Sequence, residues 1–245
     1  MNWGMKNEPG LAAATAGTLW FHWYQRGQFS EGREWLEKII ATDASDAEKA
    51  RCLLGLANLE RIQNNAEEAR GHCEAALEAF EAAGDEEGIA DALSQLGTIL
   101  QYLGESEAAE SYLNSAVEKL RALGSRGRLS FSLVVLGALK QMRGELDAAL
   151  DDYQEGLALG RELADANYIA TGLVNVGEVL AIKGELSEAA ASVQESLELF
   201  NALGVRNAIA YCLEMLADIE LRREKFRDAA RLFGAADRLR ELLNA

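Results

Sequence analysis

Residues of one type return every 40 positions along most of this 245-residue chain. Leu53, Leu93, Leu133, Leu173 and Leu213 form one column, and Leu56, Leu96, Leu136, Val176 and Leu216 a second. Ala57, Gly97, Gly137, Gly177 and Ala217 form a third. A fourth, Gly32, Ala69, Ala109, Ala149, Ala189 and Ala229, keeps the same step except for a first interval of 37. A period of about 20 to 50 residues is the mark of a repeat array, because a unit of that size cannot bury its apolar face alone and must stack on its neighbours.

The unit from Asp91 to Ser130 shows how each repeat is built. Leu93, Leu96, Gly97 and Leu100 fall at the i, i+3, i+4, i+7 spacing of one helical stripe, and Ala109, Leu113, Ala116 and Leu120 make a second stripe beyond Gly104. Gly27, Asn64, Gly104, Gly144 and Gly184 end the first helices, residue types that accept a left-handed backbone, while Glu224 stands there in an atypical last unit. Ser30, Glu107, Asp147 and Ser187 are expected at second-helix starts. Between units, Gly84-Asp85, Gly124-Ser125 and Gly204-Val205 are stop signals, the first two with an N-cap candidate. The expectation is all-α: twelve helices in six hairpins, units at about 14–45, 46–88, 89–128, 129–168, 169–208 and 209–245, with segment 1–10 left over. Gly97, Gly137 and Gly177 should face Ala109, Ala149 and Ala189, so that paired helices approach closely.

Composition narrows the function classes. A net charge of -16 disfavours sequence-independent nucleic-acid binding and anionic membranes. Cys52, Cys73 and Cys212 give an odd count without paired spacing, which points to a reducing, cytoplasmic setting. No apolar run approaches the roughly 20 residues that span a bilayer, and the first ten residues lack the apolar stretch of a signal peptide.

Counting from Gly97, further markers fall at Ala109, Leu113 and Ala116, with Leu96 and Leu93 before it. This set resembles the tetratricopeptide repeat (TPR) over roughly Leu11 to Leu243, with a longer period than is usual and no unit-ending proline. Repeats of this length with such turns resemble those carried by bacterial signal-transducing (STAND) ATPases and LuxR-type or MalT-like regulators. Trp20 to Glu37 (WFHWYQRGQFSEGREWLE) and Asp228 to Glu241 (DAARLFGAADRLRE) resemble the start and close of such arms, and Asn2-Trp3-Gly4 the tail of a preceding helix. The resemblance implies an α-solenoid, a right-handed superhelix of about six hairpins, and either the sensor arm of a larger signalling ATPase or transcriptional regulator, or a free-standing scaffold joining other proteins.

In the TPR family the first helices line a ligand groove. Carried over, the groove positions are Arg51, Asn58, Arg61, Gln95, Thr98, Tyr102, Phe131, Gln141, Asn175, Glu178, Glu214 and Asp218. Basic groups come early and acidic ones late, which could orient an extended peptide by charge; the same positions read equally as ordinary surface. The lysines of the clamp that holds chaperone tails in some relatives are not reproduced.

No enzyme motif stands in the chain: there is no G-x-x-x-x-G-K-[ST] loop, and only His22 and His72 could serve a catalytic triad. His72-Cys73 lacks the spaced partners of a zinc site, and Cys73 shares a column with Leu113 and Tyr153, so it is expected in the core. No catalytic residue, metal or cofactor is expected. Trp20, Phe21, Trp23, Tyr24, Phe29 and Trp35 crowd the first unit. They read either as a dense terminal core or, with Trp20, Trp23 and Trp35, as an apolar face for a preceding domain or a homodimer. Expected partners are a protein, a peptide or a small ligand.

Overall fold

The computed structural model describes residues 2–244, apart from the side chains of Asn2, Gln25 and Asn244. Among the described residues all regular structure is helical: α1 (Asn2–Asn7), α2 (Pro9–Gln25), α3 (Phe29–Ile40), α4 (Asp46–Ile62), α5 (Ala66–Ala83), α6 (Glu86–Leu103), α7 (Ser106–Leu123), α8 (Arg126–Met142), α9 (Leu146–Glu162), α10 (Ala166–Lys183), α11 (Leu186–Leu203), α12 (Arg206–Arg222) and α13 (Phe226–Asn244). They fall into two compact units, Met1–Ser125 and Arg126–Ala245.

In the first unit α2–α3, α4–α5 and α6–α7 pack as pairs, and α5 also packs on α6. In the second, α8–α9, α10–α11 and α12–α13 pair in the same way, with α9 on α10 and α11 on α12. Each pair is closed by a left-handed residue after its first helix: Gly27, Asn64, Gly104, Gly144, Gly184 and Glu224 all have positive φ. At Gly104 the turn is completed by backbone bonds, with Gly104 N–H donating to Gln101 O at 3.1 Å and Glu105 N–H to Leu100 O at 2.9 Å. Glu224 takes the glycine's conformation (φ 61°) despite its side chain.

The small columns do what their spacing implies. A Cβ on Gly137 would stand 2.8 Å from the Tyr153 ring and 3.2 Å from Ala149 O, and one on Gly177 would stand 2.6 Å from Val193 Cγ2. Glycine at these positions lets the second helix lie almost against the backbone of the first. Around these contacts the first unit buries Leu56, Leu59, Phe80, Leu96, Ile99 and Leu113, and the second buries Tyr153, Val179, Val193 and Ile219. Each such side chain is worth about 1.5–3 kcal/mol on burial. Cys73 is fully buried, and burial pushes its thiol up to about 12.

Several expectations are corrected. Among the described residues the six hairpins supply the twelve expected helices and residues 2–7 form α1 ahead of them, while Pro9 opens α2 from its first turn, where a missing N–H costs nothing. First helices begin at Glu86, Arg126, Ala166 and Arg206, three residues before the expected unit starts, since the left-handed stop is followed at once by the next cap. Ser30 and Ser187 do not cap: α3 and α11 start one residue earlier, after Gln28 and Glu185, and neither start has a side-chain cap. The side chains that do cap are Ser45, in a reciprocal box with Glu48, together with Asp85 and Asp165, which accept from Gly88 N–H and Tyr168 N–H.

Candidate functional site

In the first unit the first-helix stripes run side by side on α2, α4 and α6. The opening pair is unusual: α2 lies directly on α4, where a Cβ on Gly17 would meet Arg51 Cβ at 2.8 Å and one on Gly55 would meet Trp20 Cβ at 3.1 Å. This close crossing brings the aromatic residues of α2 beside the polar stripe of α4. Trp20, Phe21 and Tyr24 form a chain of rings, 5.6 Å from Trp20 to Phe21 and 5.9 Å from Phe21 to Tyr24.

The groove positions on α4 and α6 are occupied unequally. Arg51 pairs with Asp85 at 3.1 Å, tying α4 to the cap of α6. Asn58, expected to be presented to a ligand, is buried, with Nδ2 donating to Leu54 O at 3.2 Å. Thr98 turns its hydroxyl back onto Ser94 O at 2.9 Å. Tyr102 is 57% exposed while its hydroxyl donates to Asn64 Oδ1 at 2.5 Å, bridging the ends of α4 and α6. Gln95 Oε1 is buried and has no hydrogen-bond partner among the described residues. It lines a cavity of about 100 Å³ with Gly17, Trp20, Arg51 and Leu54. Arg61 is half-buried and meets no carboxylate among the described residues; burial lowers its proton affinity, opposed only by the nearby Tyr24 and Tyr102 phenols.

In the second unit the face of α8, α10 and α12 is more apolar than expected. Phe131 is 50% exposed and Met142 73% exposed, and Ile182, Tyr211 and Leu221 are exposed with them. The polar positions are largely engaged within the protein. Gln141 Oε1 accepts from Tyr153 O–H at 2.9 Å, and Glu178 Oε2 accepts from Tyr211 O–H at 2.8 Å. Glu214 takes both arms of Arg240 at 2.5 and 2.6 Å, which holds its carboxyl below the usual range. Asp218 pairs with Arg222 at 2.8 Å. Asn175 is half-buried. Of the late acidic positions, Glu214 and Asp218 are thus paired with arginines and Glu178 with a phenol.

Of the two readings of the tryptophans, dense core or interface, Trp23 follows the first. Trp23 is 6% exposed, packed on Gly32, so it belongs to the core with Leu36 and Leu59. Trp20 and Trp35 are partly buried against the same cluster, and Lys38 Nζ stands 5.3 Å from the Trp35 ring centroid. The exposed aromatics of the first unit are instead Trp3, Phe21, Tyr24 and Tyr102. Phe21 and Tyr24 precede Asn58 and Arg61 by the same 37 residues that separate Gly32 from Ala69, so the offset was the available signal for them. For Met142 and Ile182 the signal was the column they share with Tyr102.

Two polar pairs lie within hairpins, away from these faces. His72 Nδ1 is 2.7 Å from Oε2 of the buried Glu60, whose other oxygen is 3.9 Å from Arg33, and the Glu60 bond raises the His72 pKa. Lys140 and Asp152, at the corresponding positions 80 residues on, meet at 2.6 Å with the charges reversed. No group of three or more His, Cys, Asp or Glu that could hold a metal comes together among the described residues. No helix among them is long and apolar enough to cross a membrane.

Solved structures with the same fold are numerous. BtubC (BKLC) from P. vanneervenii superposes with a TM-score of 0.72 at 14% identity, over 98% of this chain and 93% of its own. A signal transduction ATPase with numerous domains and a tetratricopeptide repeat sensor, from Pyrococcus horikoshii, gives 0.76 at 14% identity over 92% of this chain but only 38% of its own. NprR in complex with its cognate peptide NprX gives 0.68 at 16% identity, over 92% of this chain and 66% of its own. No curated protein matches by sequence. At these identities the structural likeness establishes the fold, the TPR helical repeat. Residues 55–244 match the MalT-like TPR region, more than half of the chain, and the protein belongs to that family.

Proposed function

We propose that this protein recognises a protein or peptide through the first-helix faces of its repeats. The observation that carries the reading is the exposed apolar group on the second unit, Phe131, Met142, Ile182 and Tyr211, held on helices whose opposite sides form the core. Apolar side chains gathered on one face and left uncovered mark an interaction surface. Among the structural neighbours, NprR was solved with its cognate peptide, which supports a peptide as the occupant.

The finer reading is that the repeats act as the sensor arm of a larger bacterial signalling ATPase or transcriptional regulator, in the cytoplasm. Family membership and the likeness to a sensor-bearing ATPase support it. Occupancy would shift the larger protein between two states only if the ligand binds one of them more tightly. The second reading, a free-standing scaffold, differs in that several unrelated proteins would bind at once. Nothing in either reading calls for catalysis.

The test is panning of a displayed random-peptide library against the full chain. Wild-type protein should enrich one sequence family, and Met142→Glu with Ile182→Glu should weaken binding of that family at least tenfold with secondary structure intact. Enrichment of nothing, or full binding by the double variant, would overturn recognition by this face. A genomic reading frame that continues upstream of Met1 into a phosphate-binding loop would favour the sensor arm, and a stop codon there the scaffold.

A further inference from the structure

The second unit departs from the repeat pattern on the side formed by its second helices. Ala158 stands in a column with Glu78, Glu118 and Glu198, and Ala191 in one that elsewhere includes Asp151 and Arg231. At both positions α9 and α11 present a methyl group instead, and a groove of about 580 Å³ opens between them. Its floor is Leu157 of α9 with Leu173 and Val176 of α10, each less than a tenth exposed. Arg161 and Glu195 face each other across it at 3.8 Å, both more than half exposed, and so long and solvated a pair is worth little. It can open for an arriving group.

The charge around the groove is one-sided. α9 carries five acidic side chains and α11 three, against the single cation Arg161. Asp151 lies one turn before the lining residue Gln154, and Glu188 one turn before Ala191. Glu162 and Glu195 line the far end, and Glu198 follows one turn on. Asp151, Glu188 and Glu198 are exposed and form no ion pair among the described residues, and Glu162 is held only by the exposed Arg126 at 3.5 Å. The apolar floor thus has carboxylates at both ends, about 16 Å apart from Asp151 to Glu162 along α9. The first unit repeats the groove between α3 and α5 but not the charge: there Lys49 of α4 lines it beside Leu53 and Ala79.

These features restrict the occupant. The backbone N–H and C=O groups along the groove lie inside α9, α10 and α11, and Gln154 and Ser192 are the neutral polar side chains on its walls. An extended chain would find no ladder to pair with, whereas a helix brings its own hydrogen bonds. We propose that this groove docks an amphipathic helix of a partner protein, cationic at both ends of a short apolar stripe. Aliphatic side chains at i, i+3 or i+4 and i+7 settle on Leu157, Leu173 and Val176. Lys or Arg residues about three turns apart meet Asp151 and Glu188 at one end and Glu162 and Glu195 at the other. The surface lies on the second-helix side, so it does not depend on what occupies the first-helix face.

The experiment displays a library of alanine-rich helical peptides of about 18 residues. Three stripe positions vary among Leu, Ile, Met and Gln, and the flanking positions among Lys, Glu and Gln; the library is panned against the full chain at physiological salt. Wild-type protein should enrich aliphatic stripes flanked by Lys. The enriched peptides should bind at least tenfold more weakly to Ala158→Gln with Ala191→Gln, which fills the groove without changing its charge. They should weaken as much on Asp151→Asn with Glu188→Gln, which neutralises one end. All four positions are exposed, so melting temperatures should not move. Enrichment of nothing, of flanks without a preference for Lys, or of Lys-rich peptides lacking an aliphatic stripe overturns the proposal, as does undiminished binding by the groove-filled variant. Peptides that keep their affinity there and lose it on Met142→Glu with Ile182→Glu would sit on the first-helix face, which refutes this groove and leaves the recognition reading above intact.

Discussion

At the scale of single residues the repeats are governed by where glycine is needed and where it is missing. Gly84, Gly124 and Gly204 end second helices with positive φ, and Ala164 occupies the same column at φ 52°. A left-handed alanine carries a Cβ close to the following carbonyl. Ala164→Gly should therefore stabilise the second unit by roughly 0.5–1 kcal/mol, the relief of strain exceeding the extra freedom given to the unfolded chain. A urea midpoint that falls in this variant would show that the turn is not strained. Gly137 is the opposite case, since any side chain there meets the Tyr153 ring. Gly137→Leu should cost about 1–3 kcal/mol through overpacking, read as a lower melting temperature.

At the scale of elements, the polar pairs inside hairpins set a pH dependence. The folded-state pKa of His72 is raised, chiefly by its bond to Glu60, so protonated His72 favours the folded state. Its contribution is complete below the unfolded value of about 6.5 and fades as pH rises through the higher folded value. The stability difference between wild type and His72→Gln should thus be largest near pH 5.5 and shrink by pH 8. The effect is muted by solvent, because the His72 side chain is 37% exposed. Chemical denaturation at the two pH values checks this, and a difference that grows with pH would reverse the assignment. On α13, Asp237 and Arg240 occupy the columns that hold Leu157 and Gly160 on α9, facing Gly172 and Tyr168 of α10. Arg240 turns back to Glu214 instead.

At the scale of the whole molecule, stability is the sum of repeats and the contacts between neighbours, and it need not be lost in one step. Leu96 is almost fully buried within the first unit's core. Leu96→Ala should remove about 2–5 kcal/mol there. Hydrogen exchange should then speed up in α4 to α7 and remain unchanged in α11 to α13. Uniform acceleration over all helices would mean that the chain unfolds as one cooperative body. The exposed ion pairs are each worth little, whereas the net charge of -16 repels itself in the folded state, so raising salt should raise stability slightly, read as a higher melting temperature.

The repeat pattern alone determined the all-helical class, the close glycine-alanine contacts and the left-handed stops at Gly104, Gly144 and Gly184, because each follows from local spacing that recurs until chance is excluded. Glu224 and Ala164 show the limit of that reading: the register of the neighbouring repeats forces positive φ on residues whose identity argues against it. The site was legible only as a set of columns. Which members stay free depended on partners far away in sequence, such as Arg240 for Glu214, Tyr211 for Glu178 and Asp85 for Arg51. Tyr24 on the face was legible from its 37-residue offset to Arg61, whereas Trp23 went to the core through its contact with Gly32 of α3, which only the folded hairpin shows. Arg61 was left without a counter-charge for the same reason: only the folded arrangement decides which carboxylates come within reach.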